Sequence, residues 1–326
     1  MPHSRRRRLI AYSAIGLFVL IDAVLVTNAV TSTSVDAAVD ASSMPAATAS
    51  VFPTPSATPS PTLAARPTPT FAPAVSPVPA FRLLSAVSTT AAWRATTGEC
   101  PATAAAPELS TDSGATWVAS NATAPTGVTA LQNIFAQSES VAEFVGLDDE
   151  DCAPQFVKTF VGGENYSSYP DELELAWYID PADRATVHGP DGLATAPCDA
   201  IVTVAPSLGD ADSAAVLCAD GRLFATTDAA ATWSPPVAVA GMVTLTATPT
   251  GYLAVATTTT STSDCIGVDL VALTADLAPT VTGCYPTDQT PAALAGNVAV
   301  AVADDTLWLW IGDATLRSTD AGRTWL

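Results

Sequence analysis

Apolar residues from position 81 onward come in short runs separated by turn residues, without the three-to-four-residue spacing of an amphipathic helix. The runs are rich in Val, Thr and Ala, and turn residues recur at intervals of roughly ten positions. One stretch shows this clearly, because AIVTVAPS, AAVLCADG and RLFATTD follow one another between residues 200 and 228. The pattern predicts an all-β domain over residues 81–326.

The N-terminal residues have a different pattern, in which a basic cluster precedes an apolar run. Residues 5–8 are all Arg, and residues 9–26 are apolar apart from three positions. The run is just long enough to span a bilayer, and its basic flank predicts that residues 1–8 are a cytoplasmic tail. We therefore expect residues 9–30 to be a transmembrane signal-anchor in the cell membrane, with the β domain outside. Cleavage as a signal peptide, which would release a secreted protein, is the alternative.

Residues 31–80 form a third segment, rich in Ala, Ser, Thr, Val and Pro. Ten prolines lie between positions 45 and 79. Such a segment has too few large apolar side chains to build a core, so we expect a disordered linker with much polyproline II structure. At about 3.1 Å per residue it would act as a stalk for the β domain.

A short motif recurs three times within the β domain. It reads STDSGATW at 110–117, TTDAAATW at 226–233 and STDAGRTW at 318–325. The motif indicates a tight hairpin turn, because an Asp side chain accepts hydrogen bonds from N–H groups two or more residues ahead and a hydroxyl does so more weakly. Gly at the fifth position tolerates a positive φ, so Ala230 in the middle copy predicts strain. The residues assigned to these turns are Ser110, Asp112, Gly114, Trp117, Thr226, Asp228, Trp233, Ser318, Asp320, Gly322 and Trp325.

This motif resembles the Asp box, or BNR repeat, of the sialidase-like β-propellers, and the chain is also similar to photosystem II assembly-factor and sortilin-type propellers. Two weaker copies at 159–166 and 274–281 make the steps between first positions 49, 67, 48 and 44 residues. Periods of about 40–50 residues are typical of propeller blades. We therefore expect a propeller of five four-stranded blades, with each Trp buried at an equivalent corner between neighbouring sheets.

The closure of the ring leaves two possibilities. The chain reaches only one residue into the fourth strand of the last predicted blade. Either that strand is missing, or a piece near residues 75–81 completes it. Full closure removes exposed strand edges, which favours the second possibility.

The charge of the chain narrows the range of partners. The formal net charge is −20, and from residue 81 onward seven Lys and Arg stand against 29 Asp and Glu, a difference of 7 − 29 = −22. An acidic surface repels phosphate backbones and anionic lipids. We therefore expect no nucleic-acid partner, and membrane contact only through residues 9–30.

Six cysteines downstream of an export signal indicate disulfides. Cys198 precedes a predicted strand and could face Cys218, Cys284 lies at the same blade edge as Cys265, and Cys100 then remains with Cys152. Connectivity is not deducible from sequence, so this pairing is a hypothesis. A CxxC pair is absent, and we expect no bound metal.

The resemblance also raises the possibility of an enzyme of the sialidase class. FRLL at 81–84 is similar to the FRIP motif of bacterial sialidases but lacks its proline. Those enzymes use three arginines on the substrate carboxylate, and three of the six arginines in the β domain belong to turns or box flanks. The domain has a single histidine, His188, in the turn sequence HGPDG, so a Ser-His-Asp site is not expected. We assign no catalytic residue and no cofactor, and leave enzymatic activity open.

The most individual stretch lies within residues 167–192, where about twenty residues exceed the blade period. Long loops on rigid scaffolds often carry function. The alternative is that LELAWYI at 173–179 is a long outer strand of the second blade, packed by its own Trp. Aromatic and acidic side chains would suit a sugar or a basic peptide, and the binding candidates are Tyr169, Glu172, Glu174, Trp177 and Tyr178.

Together these features favour a membrane-anchored extracytoplasmic β-propeller that binds or assembles an unidentified protein or glycan partner without catalysis. The alternative is a glycan-active hydrolase, similar to an exo-sialidase, on the same scaffold. An enzyme should have a cluster of arginines and carboxylates at the mouth of the central channel. A binding module should have an aromatic or apolar patch there, or on the 167–192 segment.

Overall fold

The computed structural model describes residues 76–258 and 265–326, and these residues form six small antiparallel sheets. The sheets follow one another along the chain, and their first strands contact one another in a closed ring. This arrangement is a β-propeller, which confirms the predicted fold. The number of blades is six, so the expectation of five was wrong.

Blades one and two have four strands each. Blade one consists of β1 to β4, at Arg82–Ala86, Ala92–Thr96, Glu108–Ser110 and Val118–Ala119. The short helix α1 at Thr123–Thr126 leads into blade two. Blade two consists of β5 to β8, at Val128–Ala136, Ala142–Asp148, Pro154–Thr159 and Ser167–Ser168.

Blades three and six have three strands, whereas blades four and five have four. Blade three follows helix α2 at Pro170–Leu173 and consists of β9 to β11, at Tyr178–Ile179, Thr186–Gly189 and Gly192–Thr195. Blade four consists of β12 to β15, at Ile201–Pro206, Ala214–Cys218, Arg222–Thr226 and Val237–Ala238. Blade five consists of β16 to β19, at Met242–Thr248, Gly251–Thr257, Gly267–Thr274 and Pro279–Pro286. Blade six follows helix α3 at Pro291–Leu294 and consists of β20 to β22, at Val298–Ala303, Thr306–Ile311 and Ala314–Ser318.

The hydrophobic core is divided into layers between successive blades. Trp93 of blade one packs with Phe144 of blade two, and Leu223 of blade four lies in one cluster with Leu245 of blade five. Similar clusters join blades two and three, three and four, and five and six. Since each face of a blade packs on a neighbour, side chains pointing either way along a strand are apolar. This explains the mixture of apolar runs and alternation in the sequence.

Blade three occupies the segment that was expected to be a long loop or a long outer strand, and both expectations were wrong. Leu173 ends helix α2, and β9 begins only at Tyr178. The backbone N–H of Ile201, the first residue of β12, donates to the carbonyl oxygen of Arg184 in the β9–β10 loop. That loop therefore lies where the inner strands begin. It follows that β9 runs opposite to the other innermost strands.

The ring closes between β1 and β20. The N–H of Phe81 donates to Gly296 just before β20, at 2.7 Å. The outer side of β22 is met by Leu326 instead, which exchanges two backbone hydrogen bonds with Arg317. In the described part of the chain, residues 76–81 thus approach the inner strand of blade six, and the expectation that they complete its outer strand was wrong.

Cations on tryptophan rings hold this junction. The guanidinium carbons of Arg82 and Arg94 each lie 4.7 Å from the ring centroid of Trp310 in β21. Arg94 also forms an ion pair with Glu108 at 2.6 Å and donates to the hydroxyl of Thr315 at 3.0 Å. Such contacts contribute about 0.5–2 kcal/mol each, according to their exposure to water. These contacts connect blade one to blade six, whose outer side receives no strand from residues 76–81.

The three motif turns make the same hydrogen bonds. In blades one and four the turn lies between the third and fourth strands, and in blade six it follows the third strand. Asp320 accepts from the N–H and hydroxyl of Thr324, and the hydroxyl of Ser318 accepts from the N–H of Gly322. The turns at Asp112 and Asp228 repeat these contacts. These hydrogen bonds lower the pKa of Asp112 and of Asp320 to about 2.

The two degenerate copies keep one of these contacts. The hydroxyl of Thr159 accepts from the N–H of Gly163, and that of Thr274 from the N–H of Ala278. A hydroxyl that binds the N–H four residues ahead is therefore common to all five turns. The strain predicted in the middle copy is present, since Ala230 has a φ of 70°.

The tryptophans are not equivalent, contrary to expectation. The indole N–H groups of Trp233 and Trp325 donate to Thr195 and Cys284 in the preceding blades. That of Trp117 donates to Gly114 within its own turn, and the guanidinium carbon of Arg94 lies 4.0 Å from the centroid of its ring. All three rings are half-buried rather than fully buried.

Three disulfides are present, and their pairing matches the sequence hypothesis. They join Cys100 to Cys152, Cys198 to Cys218 and Cys265 to Cys284. The first links the β2–β3 loop of blade one to the β6–β7 loop of blade two. The second links the segment before β12 to β13, and the third lies within blade five.

The predicted tail, signal-anchor and most of the linker lie outside the described residues. Within the ranges 76–258 and 265–326, no helix is both long and apolar enough to cross a membrane.

Candidate functional site

A cavity of about 990 Å³ runs through the centre of the ring. The innermost strands of all six blades line it. The inner strands of blades one, two, four, five and six run in the same direction, so one mouth of the channel gathers their ends and the other their beginnings. These two mouths differ in chemistry.

The mouth at the ends of the inner strands is apolar. Phe135 at the end of β5 and Leu208 just after β12 line the cavity, and each is 48% exposed. Further lining residues here are Ala86, Val87, Pro206, Ala247, Pro249, Val302 and Ala303. Half-exposed large apolar side chains at the mouth of a cavity are a common feature of binding sites. An apolar patch at the channel mouth is the feature expected of a binding module.

Carboxylates lie in the loops around this apolar mouth. Asp304 lines the cavity directly. Asp210 and Asp212 lie in the same loop as Leu208, and Asp305 follows Asp304, all exposed to solvent. Hydrogen bonds from Ser213 and from the backbone of Asp212 lower the pKa of Asp210. The apolar mouth therefore has a negatively charged rim at neutral pH.

The cations of the propeller are almost all engaged internally. Lys158 pairs with Glu143 and Glu172, Arg222 with Asp220, and Arg94 with Glu108. Arg317 donates to the carbonyl oxygen of Thr89. The described surface thus offers carboxylates with few cations to balance them, which favours association with a basic partner.

The opposite mouth, at the beginnings of the inner strands, carries polar groups. Arg82, Arg184 and Glu99 line it together with the Cys100–Cys152 disulfide. Arg82 donates to the carbonyl oxygen of Gly312 and stacks on Trp310, so it is held in the blade junction. Among the described residues, this mouth therefore has two arginines and one carboxylate, fewer than the three arginines that sialidases use.

Two of the sequence-predicted binding residues lie in the interior. Trp177 is buried, and its indole N–H donates to the carbonyl oxygen of Ala211 at 2.8 Å. Tyr178 is also buried and stacks on His188 with 4.5 Å between ring centroids, yet it lines the channel. Burial and the charge of Asp180 raise the pKa of Tyr178, so its hydroxyl stays protonated at neutral pH.

The other predicted binding residues lie on the outside of blades two and three. The ring of Tyr169 meets the half-exposed Phe160 edge-on at 6.0 Å, and Lys158 lies 5.7 Å from the centroid of Tyr169. Glu172 forms an ion pair with Lys158. Glu174 is exposed at the end of helix α2. Tyr169 nevertheless packs against the same small apolar cluster as Tyr178, and the binding role of the five candidates stays a prediction.

Three channel-lining residues were not predicted as site residues from the sequence: Phe135, Leu208 and Arg184. Phe135 and Leu208 are 73 positions apart, and only the ring brings them to one mouth. A signal was present in VTALQNIF, where Phe135 extends the apolar pattern of β5 into a polar turn.

Among the described residues, one group of metal-ligating type occurs, formed by Cys265, Asp269 and Cys284. Its two sulfur atoms are bonded to each other in a disulfide. They are therefore not available as thiolate ligands.

No family model matches the chain, and no curated protein matches it. Solved structures that resemble it include YCF48 from Cyanidioschyzon merolae, with 16% identity, 77% of this chain and 86% of that chain covered, and a TM-score of 0.36. YCF48 bound to D1 peptide matches with 19% identity over 80% and 87% and a TM-score of 0.28. A putative glycoside hydrolase from Parabacteroides distasonis matches with 10% identity over 78% and 95% and a TM-score of 0.38. All three TM-scores are below 0.5, so these likenesses do not by themselves assign a class to the chain. YCF48, a photosystem II assembly factor, belongs to the kind of propeller that the sequence resembles.

Proposed function

We propose that the chain is an extracytoplasmic binding module that holds a protein partner at the apolar mouth of its channel. The segment that fits has one or two large apolar side chains flanked by Lys or Arg. The observation that carries this proposal is the exposure of Phe135 and Leu208 at a cavity mouth rimmed by Asp210, Asp212 and Asp304.

The energetics of this mouth support a moderate, salt-sensitive affinity. Covering the exposed half of each apolar side chain contributes about 1 kcal/mol. The carboxylate rim adds attraction for a basic segment and accelerates its approach, and both effects weaken as the ionic strength rises. A rigid ring presents these groups without prior ordering, which lowers the entropic cost of binding.

The N-terminal segments support a place for this module outside the cell. Residues 9–30 would hold the chain in the membrane, and residues 31–80 would extend the propeller away from it. Protease treatment of intact cells tests this, because the propeller should be lost while residues 1–8 remain protected. Release of the whole chain into the medium would indicate cleavage of the N-terminal segment instead.

Binding is tested with the full chain and three fluorescent peptides of equal length, followed by anisotropy. One peptide has Phe and Leu flanked by Lys, the second has Glu in place of each Lys, and the third has Ser in place of Phe and Leu. We expect the first to bind at least about tenfold more tightly than the other two, since each loses attractive contacts. Equal binding of all three would contradict the proposal.

Matched variants locate the site. Phe135→Ser and Leu208→Ser should each weaken binding of the first peptide about fivefold, because about 1 kcal/mol of burial is lost. Val281→Ser removes a side chain of similar exposure on β19 and should change nothing. Turnover of aryl glycosides by the same preparation would favour the hydrolase alternative and contradict a purely binding role.

A further inference from the structure

We propose that Arg184, at the end of the channel opposite the apolar mouth, binds a carboxylate, and that Tyr178 contributes to this subsite from the channel wall. Both side chains line the cavity and belong to blade three, Tyr178 on β9 and Arg184 in the loop that follows it. The ligand is a molecule with a terminal or pendant carboxylate that enters the channel. The subsite is independent of the proposed protein partner, because it lies at the other mouth.

The geometry leaves the guanidinium of Arg184 only partly satisfied. Its Nε donates to the carbonyl oxygen of Ile201 at 2.9 Å, which fixes the side chain. In the described part of the chain, Nη1 and Nη2 have no hydrogen-bond partner, and Arg184 belongs to none of the ion pairs. The hydroxyl of Tyr178 likewise has no hydrogen-bond partner among the described residues.

This arrangement is unusual in a protein with a large excess of carboxylates. Burial lowers the pKa of Arg184, because the guanidinium is partly removed from water. A half-buried cation without an anionic partner costs stability, and natural proteins normally pair such a group. The missing partner is supplied if an anion from outside occupies the channel.

The donors select a carboxylate rather than a larger anion. Two free N–H groups on one side of a guanidinium match the two oxygens of a carboxylate, and a protonated Tyr hydroxyl can add a third hydrogen bond. One cation balances one negative charge, whereas the net negative charge of the propeller repels a phosphate dianion more strongly than a single carboxylate. Because β9 is the inner strand of blade three, it places these blade-three groups at the channel wall.

The test measures binding of defined carboxylates to the full chain by calorimetry at constant ionic strength. The probes are acetate, glucuronate, and a tripeptide with a free or an amidated C-terminus, with chloride as the reference. We expect Arg184→Gln to weaken binding of the carboxylate probes about tenfold or more, and Tyr178→Phe about threefold to tenfold. Arg222→Gln, which removes an arginine already paired with Asp220, should bind like the wild type.

The probes distinguish the source of the carboxylate. Preference for the free-acid tripeptide over its amide indicates a peptide C-terminus, and preference for glucuronate indicates an acidic sugar. Binding of the carboxylates no better than chloride, or unchanged binding by Arg184→Gln, would overturn the subsite. If Arg184→Gln does not fold, Arg184→Lys serves instead, since it keeps the charge, loses the planar fork and should bind several-fold more weakly. Binding of basic peptides at the apolar mouth should persist in all these variants, so the two proposals fail separately.

Discussion

The indole N–H of Trp325 donates to the carbonyl oxygen of Cys284 at 2.8 Å, across the boundary between blades six and five. The N–H of Cys284 in turn donates to Gly322 of the same motif turn at 3.0 Å. The turn at 318–325 is therefore joined to the outer strand of the preceding blade by two hydrogen bonds. Trp233 makes the corresponding contact to Thr195 across the boundary of blades four and three.

This close contact predicts that Gly283→Ala strongly destabilises the protein. A Cβ at Gly283 would lie 2.4 Å from the backbone oxygen of Ala321, and backbone atoms cannot move aside as a flexible side chain can. The free energy of unfolding should fall by about 2–3 kcal/mol, as for other steric defects at packed sites. Urea denaturation measures the change. Gly209→Ala, where an added Cβ meets nothing within 4 Å, is the control and should change stability little.

The middle turn predicts a stabilising substitution. Ala230 has a φ of 70°, a conformation that costs an L-residue about 1–2 kcal/mol. Ala230→Gly removes this strain but adds about 0.5–1 kcal/mol of chain entropy, so we expect a net gain of about 0.5 kcal/mol in the free energy of unfolding. Ala301→Gly, in the ordinary strand β20, should lower it. Thermal denaturation of both variants checks the prediction, and a destabilised Ala230→Gly would contradict it.

The turn carboxylates predict loss of stability in acid. Hydrogen bonds from Thr324 and Ser318 lower the pKa of Asp320 from 3.8 to about 2. A depressed pKa in the folded state means that the carboxylate contributes stability above pH 4 and loses it as the pH falls toward 2. Melting temperatures recorded between pH 5 and pH 2 should therefore fall less steeply for Asp320→Asn, which starts from a lower value at neutral pH. Parallel slopes for the two proteins would contradict this role.

The disulfide between Cys100 and Cys152 should make a large entropic contribution to the free energy of unfolding. The two residues are 52 positions apart, and the chain-entropy relation gives about 4 kcal/mol for a loop of that length. The double variant Cys100→Ser/Cys152→Ser should lose most of this. The Cys198–Cys218 disulfide closes a loop of 20 positions, so the double variant Cys198→Ser/Cys218→Ser should lose about 1 kcal/mol less. Urea denaturation of the two double variants measures the difference, and an equal or reversed order would contradict the entropic account.

Five of the six blades were predictable because each ends in a turn with the same hydroxyl contact. The hydroxyls of Thr159 and Thr274 keep that contact even where the rest of the motif is lost. Blade three has no such turn, and its strands are two to four residues long, too short for a recognisable alternation. Its only trace is the step of 67 positions between Thr159 and Thr226.

The channel and its mouths were not predictable, because they depend on how distant strands meet. The sequence shows Arg184 and Ile201 as unrelated residues, whereas the reversed direction of β9 makes them hydrogen-bonded neighbours. The sequence alone also leaves Trp177 ambiguous, because an aromatic residue beside acids is typical of a binding loop and also of a small core. The bond from its indole N–H to Ala211 decides for the core.

Hydrogen–deuterium exchange of the full chain, with and without the Lys-flanked Phe-Leu peptide, tests the account most directly. If the apolar mouth is the binding site, the peptide should slow exchange at the end of β5 around Phe135 and in the loop at Leu208. Outer strands such as β19 should exchange as before. Protection confined to the outer strands, or no protection anywhere, would contradict the claim that this propeller binds its partner at the channel mouth.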